Sequence, residues 1–263
     1  YAKYFDKPIE YPTELLLQSK VASSEFGLGT NFLFNSFFAP KAMLRAIANF
    51  TNEKNEPASV EEVLEVFSNA AKARGLQKIK GFPKERSKRR HEDSAENRPL
   101  YSIILPLSEL GLLRKENDRV YLTNAGLELA QLDNPKLDEN KESLLSEKEI
   151  EFITNYLKQI DAQGYKEYSL LKGFVNYIKE MQLHGKMPSY QDLTKYFHSS
   201  QEFADFLYKN SKYGKRGISK ETNDFINWVK KESRAIASSK ISILRELGIL
   251  ENKRNSYKIL KNW

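Results

Sequence analysis

The 263-residue chain carries 42 Lys and Arg against 35 Asp and Glu, a net charge of +7, which favours a polyanionic partner without identifying it. Its 40% hydrophobic content, with 15 Phe and 14 Tyr, provides buried cores for two or three subdomains, and the absence of cysteine excludes disulfides and Cys-ligated zinc. His91, His184 and His198 are too far apart for a ligand pair on one helix, and there is no apolar run of about eighteen residues and no signal-peptide core in YAKYFDKPIEYP. The expectation is therefore a cytosolic protein with no membrane partner, and the start at Tyr1 is read as a segment of a longer protein.

The first residues, 1–13, hold two lysines, two prolines and three tyrosines without helical period and read as an extended arm. A short helix is expected over 14–21 and an aromatic loop over 26–38. After Pro40, the residues Ala42, Leu44, Ile47 and Phe50 predict a buried helical face, broken at 55–58. Ser59 and Glu62 have capping-box spacing for a second helix with Val60, Val63, Leu64 and Phe67 inward, ending near Gly75. The stretch 75–99 has eight basic side chains against four acids and little apolar periodicity. A helix over 100–110 should bury Leu100, Ile103, Leu107 and Leu110, with Pro106 delaying or kinking it. Residues 132–148 read as an acidic linker, followed by helices at 146–160, 169–184, 189–197 and 199–209, a basic loop, and a long helix over 220–247 with an expected break near 231–233.

One unit occurs twice. ELGLLRKENDRVYL at 109–122 returns 137 residues later as ELGILENKRNSYKI at 246–259, with four identities in fourteen positions. In each copy a helix stops at a glycine, Gly111 or Gly248, suited to a left-handed C-cap, and a hairpin with a charged tip follows. Helix, glycine and hairpin form the C-terminal half of a winged helix. Thr123 and Asn124 offer an N-cap for a further helix through Leu132. The expected fold is mainly α with small β-hairpin wings (α+β): two winged-helix subdomains joined by a helical linker subdomain, with boundaries 1–132, 133–185 and 186–263.

A winged helix usually sends the helix before its glycine into the major groove. At about 100° per residue, Ile236, Ile243 and Leu247 share one side of that helix and Arg234, Ser238, Ser242 and Arg245 the other. Small serines permit close approach, and arginine can grip guanine with two hydrogen bonds. Lys212, Lys215 and Arg216 lie in an acid-free run and suit phosphates, as do Lys253 and Arg254 at the second wing and Lys115 at the first. In the first subdomain Arg86, Lys88, Arg89, Arg90, His91, Arg98 and Tyr101 are candidates, and Lys3, Tyr4 and Lys7 on the arm complete the set. A solvated charged face explains the same patterns without any DNA.

Catalytic motifs are missing: there is no phosphate-binding glycine loop, nucleophile elbow or paired-histidine metal motif. The fragment Asp138-Glu139-Asn140-Lys141 imitates the end of a metal-nuclease motif but sits in a polar linker with no strand to hold its carboxylates together.

LGLLRKENDRVYLTNAGLELA, from Leu110 to Ala130, resembles the first winged helix in the DNA-recognition region of FokI-like type IIS restriction endonucleases. The shared features are the Leu110-Gly111 helix end, the charged hairpin, and Thr123 followed by Gly126-Leu127; residues 243–257 are similar to the next subdomain of that family. The resemblance implies double-stranded DNA as partner, a short asymmetric site read through two winged subdomains, and a monomeric recognition region without cofactor or catalytic centre. Cleavage and its Mg2+ would belong to a separate nuclease domain C-terminal to residue 263. The alternatives are a plasmid replication initiator or another tandem winged-helix regulator, and, from a different class, a scaffold whose wings bind protein.

Overall fold

The structure, a computed structural model, describes residues 9–27, 36–65, 103–134, 145–253, 256–261 and 263. It is mainly helical, and its described strands form two small antiparallel sheets. The described residues divide into two compact units. Unit 1 takes residues up to Glu25 and from Ser36 to Tyr165; unit 2 takes Phe26, Gly27 and the chain from Lys166 onward. The separate linker subdomain expected over 133–185 is thus shared out, with one of its helices packed into each unit.

Unit 1 is built on α1 (Phe38–Lys54), which is buried from Phe38 to Thr51 on every side and is surrounded by the rest of the unit. The helix ends where Asn55 takes a left-handed conformation, φ 54°. Strand β1 (Ala58–Ser59) follows, and Ser59 with Glu62 closes a capping box: Ser59 N–H donates to the Glu62 carboxylate at 2.7 Å and Glu62 N–H to the Ser59 hydroxyl at 3.2 Å. This starts the helical residues 60–65. Beyond the stretch 66–102, α2 (Leu105–Glu109) carries Pro106 in its first turn, where a missing N–H is harmless. Strands β2 (Leu113–Glu116) and β3 (Arg119–Leu122) form a hairpin around Asn117 and Asp118, whose φ angles of 46° and 65° define a tight primed turn that suits strand twist. The sheet order is β1-β3-β2. Thr123 then caps α3 (Asn124–Gln131), and α4 (Glu147–Ala162) begins with a Ser146–Glu149 capping box.

Two cations on α1 are buried, which the apolar pattern did not signal. Arg45 donates to the carbonyls of Ala130 at 3.0 Å and Leu132 at 2.6 Å, so it satisfies the open C-terminal end of α3. Lys41 bonds the same Leu132 carbonyl and pairs with Glu149, which also accepts from Asn134 at 2.7 Å. One charged cluster thereby ties α1, α3 and α4.

Residues 9–25, which include the last part of the expected arm, pack on unit 1. Ile9 accepts from Gln131 at 3.0 Å, the Tyr11 hydroxyl accepts from Leu122 N–H at 3.2 Å, and the Ser19 hydroxyl donates to Gly111 O at 2.8 Å. The helix expected over 14–21 is absent: only Thr13–Leu15 makes one 3-10 turn. The backbone beyond it bonds to other elements instead, Leu17 N–H to Leu122 O and Ala22 N–H to Glu109 O.

Unit 2 repeats the plan. It contains α5 (Glu167–Leu183), α6 (Tyr190–His198), α7 (Gln201–Lys209), α8 (Lys212–Lys215), α9 (Asn223–Glu246), β4 (Leu250–Lys253) and β5 (Ser256–Ile259). Ser189 bridges to Ser256 of β5 as β1 bridges to β3, and it opens α6 with an Asp192 capping box. The helix-to-hairpin corner is the same in both units. Leu112 N–H bonds Leu107 O and Gly111 N–H bonds Ser108 O; Ile249 N–H bonds Leu244 O and Gly248 N–H bonds Arg245 O. With Gly111 at φ 70° and Gly248 at φ 66°, both are Schellman ends. The expected break in the long helix is not there: Ser233 satisfies its hydroxyl on Val229 O at 2.8 Å inside an unbroken α9.

Gly126 tests the packing of the first corner. A Cβ there would lie 1.8 Å from the Leu112 carbonyl oxygen, a backbone atom held by the corner itself. Gly126→Ala should therefore cost about 1–3 kcal/mol in urea unfolding, and a loss below about 0.5 kcal/mol, the size of an ordinary surface change, would contradict this close approach.

Candidate nucleic-acid interface

The sequence places its charge unevenly between the units. Residues 166–263 hold 19 Lys and Arg against 10 Asp and Glu, whereas residues 1–165 hold 23 against 25. The positive field that could attract a polyanion is concentrated in unit 2.

Within unit 2, α9 turns one arc to solvent. Phe225, Val229, Ile236 and Ile243 are buried, and Arg234, Ser238 and Arg245 are exposed with Ser242 half-buried. Because the helix is continuous, the arc extends upstream through Lys231, Lys230 and Asn227, all exposed. From Asn227 to Arg245 this face carries no acid; Glu232 lies on another side of the helix. Eighteen steps at the helical rise make the stripe about 27 Å long, interrupted at Ile241, which shares this side and is 5% exposed. Among the described residues neither Arg234 nor Arg245 has an ion-pair partner. The sequence pattern identified Arg234, Ser238, Ser242 and Arg245; it missed the two lysines and Asn227 because the expected break at 231–233 stopped the helical count.

Aromatic packing sets a second basic element beside the first turns of α9. Tyr213 of α8 meets Phe225 edge-on at 5.4 Å and Trp228 at 5.3 Å between ring centroids. The Ser211 hydroxyl caps α8 by accepting from Tyr213 N–H at 3.1 Å. This brings exposed Lys212, Lys215 and Arg216 near the first turns of α9, on the side that carries Phe225 and Trp228. Lys212 also sits over the Tyr213 ring at 5.4 Å. Lys220, by contrast, is committed to Asp205 at 2.6 Å.

Tyr190, the first residue of α6, flanks the stripe from another element. Its hydroxyl donates to the Arg234 carbonyl at 2.9 Å, and its ring is partly exposed. With Ser189, Gln191, Asn252 and Tyr257 it lines a shallow depression between the start of α6 and the wing. Sequence reading had no signal for Tyr190, since the contact joins residues 44 apart. Burial pushes the Tyr257 phenol above its ordinary pKa, opposed by the nearby charge of Arg245.

The hairpins differ. Every cation of the first hairpin meets an acid: Arg114 pairs with Glu116, Lys115 with Asp118 at 3.2 Å, and Arg119 with Glu62 at 3.4 Å. Lys115 is thus a weaker candidate for phosphate than its position implied. In the second hairpin Lys253 is exposed and lies 3.6 Å from Glu251, a looser pair. Arg254 falls outside the described residues, as do Lys3, Tyr4, Lys7, Arg86, Lys88, Arg89, Arg90, His91, Arg98 and Tyr101, and the fragment 138–141. Among the described residues no three His, Asp or Glu side chains come together as a metal site, and no helix is long and apolar enough to cross a membrane. No protein-family model, curated protein or solved structure matches the chain.

Asp192 anchors the helix that carries Tyr190. Its carboxylate accepts from Lys186 at 2.7 Å and from Ser189 N–H at 3.0 Å, and these bonds hold its pKa well below the ordinary carboxylate range. A depressed folded pKa means stability that is present above the unfolded value, about 3.9, and is lost as pH falls toward the folded one. Asp192→Asn should consequently destabilise the protein at pH 7, and its deficit relative to the parent should shrink as pH is lowered below about 4. Thermal unfolding at several pH values checks this, and a deficit independent of pH would remove the charge from the explanation.

Proposed function

We propose that the chain is a sequence-specific binder of double-stranded DNA, built on two winged-helix subdomains, with α9 as the recognition helix of the second. The observation that carries the reading is the acid-free outer arc of α9 from Asn227 to Arg245 on the basic unit. Support for the winged-helix assignment comes from the bridge that opens each helical stretch, the helix that ends it at a glycine corner of the same geometry in both units, and the hairpin that follows.

The chemistry divides the arc by residue type. Arg234 stands midway along α9, beside Ser238, whose small side chain lets the backbone approach base edges; Arg234 is the residue suited to a bidentate contact with guanine. Lys230 and Lys231 on the helix, Lys212, Lys215 and Arg216 on α8, and Lys253 at the wing suit phosphates on either side. Phosphate contacts supply affinity that falls with salt, and base contacts supply the preference among sequences. The resemblance of residues 110–130 to FokI-like recognition regions supports assigning this binder to a type IIS restriction endonuclease, whose cutting step and Mg2+ would belong to a different domain.

The test is a selection from a random duplex pool followed by anisotropy titrations across a salt series. Arg234→Ala should cost about 1–3 kcal/mol on the selected duplex and little on random duplex. Lys215→Ala should weaken both and lower the salt slope by about one. Failure to enrich any sequence would overturn specific recognition, and equal losses for Arg234→Ala on the two duplexes would move base reading to Arg245.

A further inference from the structure

We infer that the buried Lys240–Glu167 pair is the positioning device that sets the register of α9 and so decides which of its side chains face outward. The inward side of α9 runs Phe225, Val229, Ser233, Ile236, Lys240 and Ile243, at spacings of three and four, and all six are buried. Apolar positions in such a seam specify register weakly, because a helix that turns or slides still finds apolar neighbours; a polar seam position specifies it strongly. Ser233 bonds within its own helix and so is silent about register.

Lys240 is different. Its ammonium donates at 2.6 Å to Glu167 on α5, and both side chains are fully buried. Any other rotation of α9 would pull the two charges apart, leaving at least the carboxylate in a dry interior, which is the strongly destabilising case. Burial pushes the Lys240 pKa below its ordinary value, with the Glu167 charge acting against that shift, as expected of a dry site. Gly27 packs against the glutamate of the pair. A Cβ on Gly27 would lie 2.1 Å from a Glu167 carboxylate oxygen and 2.8 Å from its Cα, so the Gly27 backbone lies directly against this side chain.

The consequence is visible beside the pair. Ser238 is exposed and Ser239 is 1% exposed, so turning α9 by one residue would either bring Ser239 outward with Ser238 in the buried place of Ala237, or bury both. The inference concerns α9 itself and stands whether or not its outer arc meets DNA.

The chain contains no cysteine, so single thiols report without background. Ser238→Cys and Ser239→Cys are each placed in the parent and in a Lys240→Met/Glu167→Leu background, and thiol-labelling rates and thermal midpoints are measured. In the parent, position 238 should label at least about a hundredfold faster than 239, as expected when local opening is needed to expose the buried site. In the double background the midpoint should stay within a few degrees, because apolar replacement of a buried pair is close to neutral, while the labelling ratio falls at least about tenfold. An unchanged ratio in a folded double variant overturns the inference. Should that variant not fold, Glu167→Asp keeps both charges but withdraws the carboxylate by one methylene: a ratio at least about threefold lower supports the register role, and an unchanged ratio overturns it.

Discussion

A buried charge must be answered by an opposite one, and each unit of this protein is arranged around such an answer. In unit 1 Lys41 on α1 meets Glu149 at the start of α4, and in unit 2 Lys240 on α9 meets Glu167 at the start of α5. Both glutamates lie near helix N-termini, where the partial positive charge of the helix end also favours a carboxylate. These pairs need not add net stability, since well-packed apolar side chains would serve as well. Their contribution is selective: the first fixes which groups of α1 meet α4, and the second penalises arrangements in which α9 turns another face inward. That selectivity matters most for α9, because its outer arc is where recognition is proposed to occur.

The repeated corner is the second constraint. A left-handed glycine ends the helix, two backbone bonds close its last turn, and a four-residue hairpin returns along the unit. The geometry is the same at Gly111 and Gly248, yet the two hairpins carry different electrostatics. The first neutralises its cations internally, and the second leaves Lys253 more loosely held. Together with the excess of basic residues in 166–263, this gives the units unequal parts in the proposed binding: unit 2 supplies the field and the reading helix.

Much of this organisation was legible in the sequence because it rests on local rules. The glycine corners, the capping box at Ser59, the helix start at Ser189 and the inward positions Ile236 and Ile243 of α9, with Leu247 at its end, follow from spacing and residue type alone. What escaped rests on contacts distant in sequence. Lys41 and Arg45 look like surface cations on an amphipathic helix until their partners at 130–149 are known. Residues 14–21 have helical composition, but Leu17 bonds to β3 instead and Ala22, just beyond them, to α2. Glu232-Ser233 reads as a helix break only if the serine hydroxyl needs a partner outside its own helix, and it does not. Tyr190 enters the site through a bond to a carbonyl 44 residues away, which no local pattern encodes.

The account stands or falls on whether the outer arc of α9 meets a duplex. An iron-chelate cleavage reagent tethered to a cysteine at Ser238 in this otherwise cysteine-free chain measures that proximity directly. The account predicts strand scission confined to a few adjacent nucleotides of a duplex the protein has selected, and far weaker scission from the same reagent at Glu128, an exposed position on α3 of unit 1. Equal scission from the two tethers, or none above free reagent from Ser238, would contradict it.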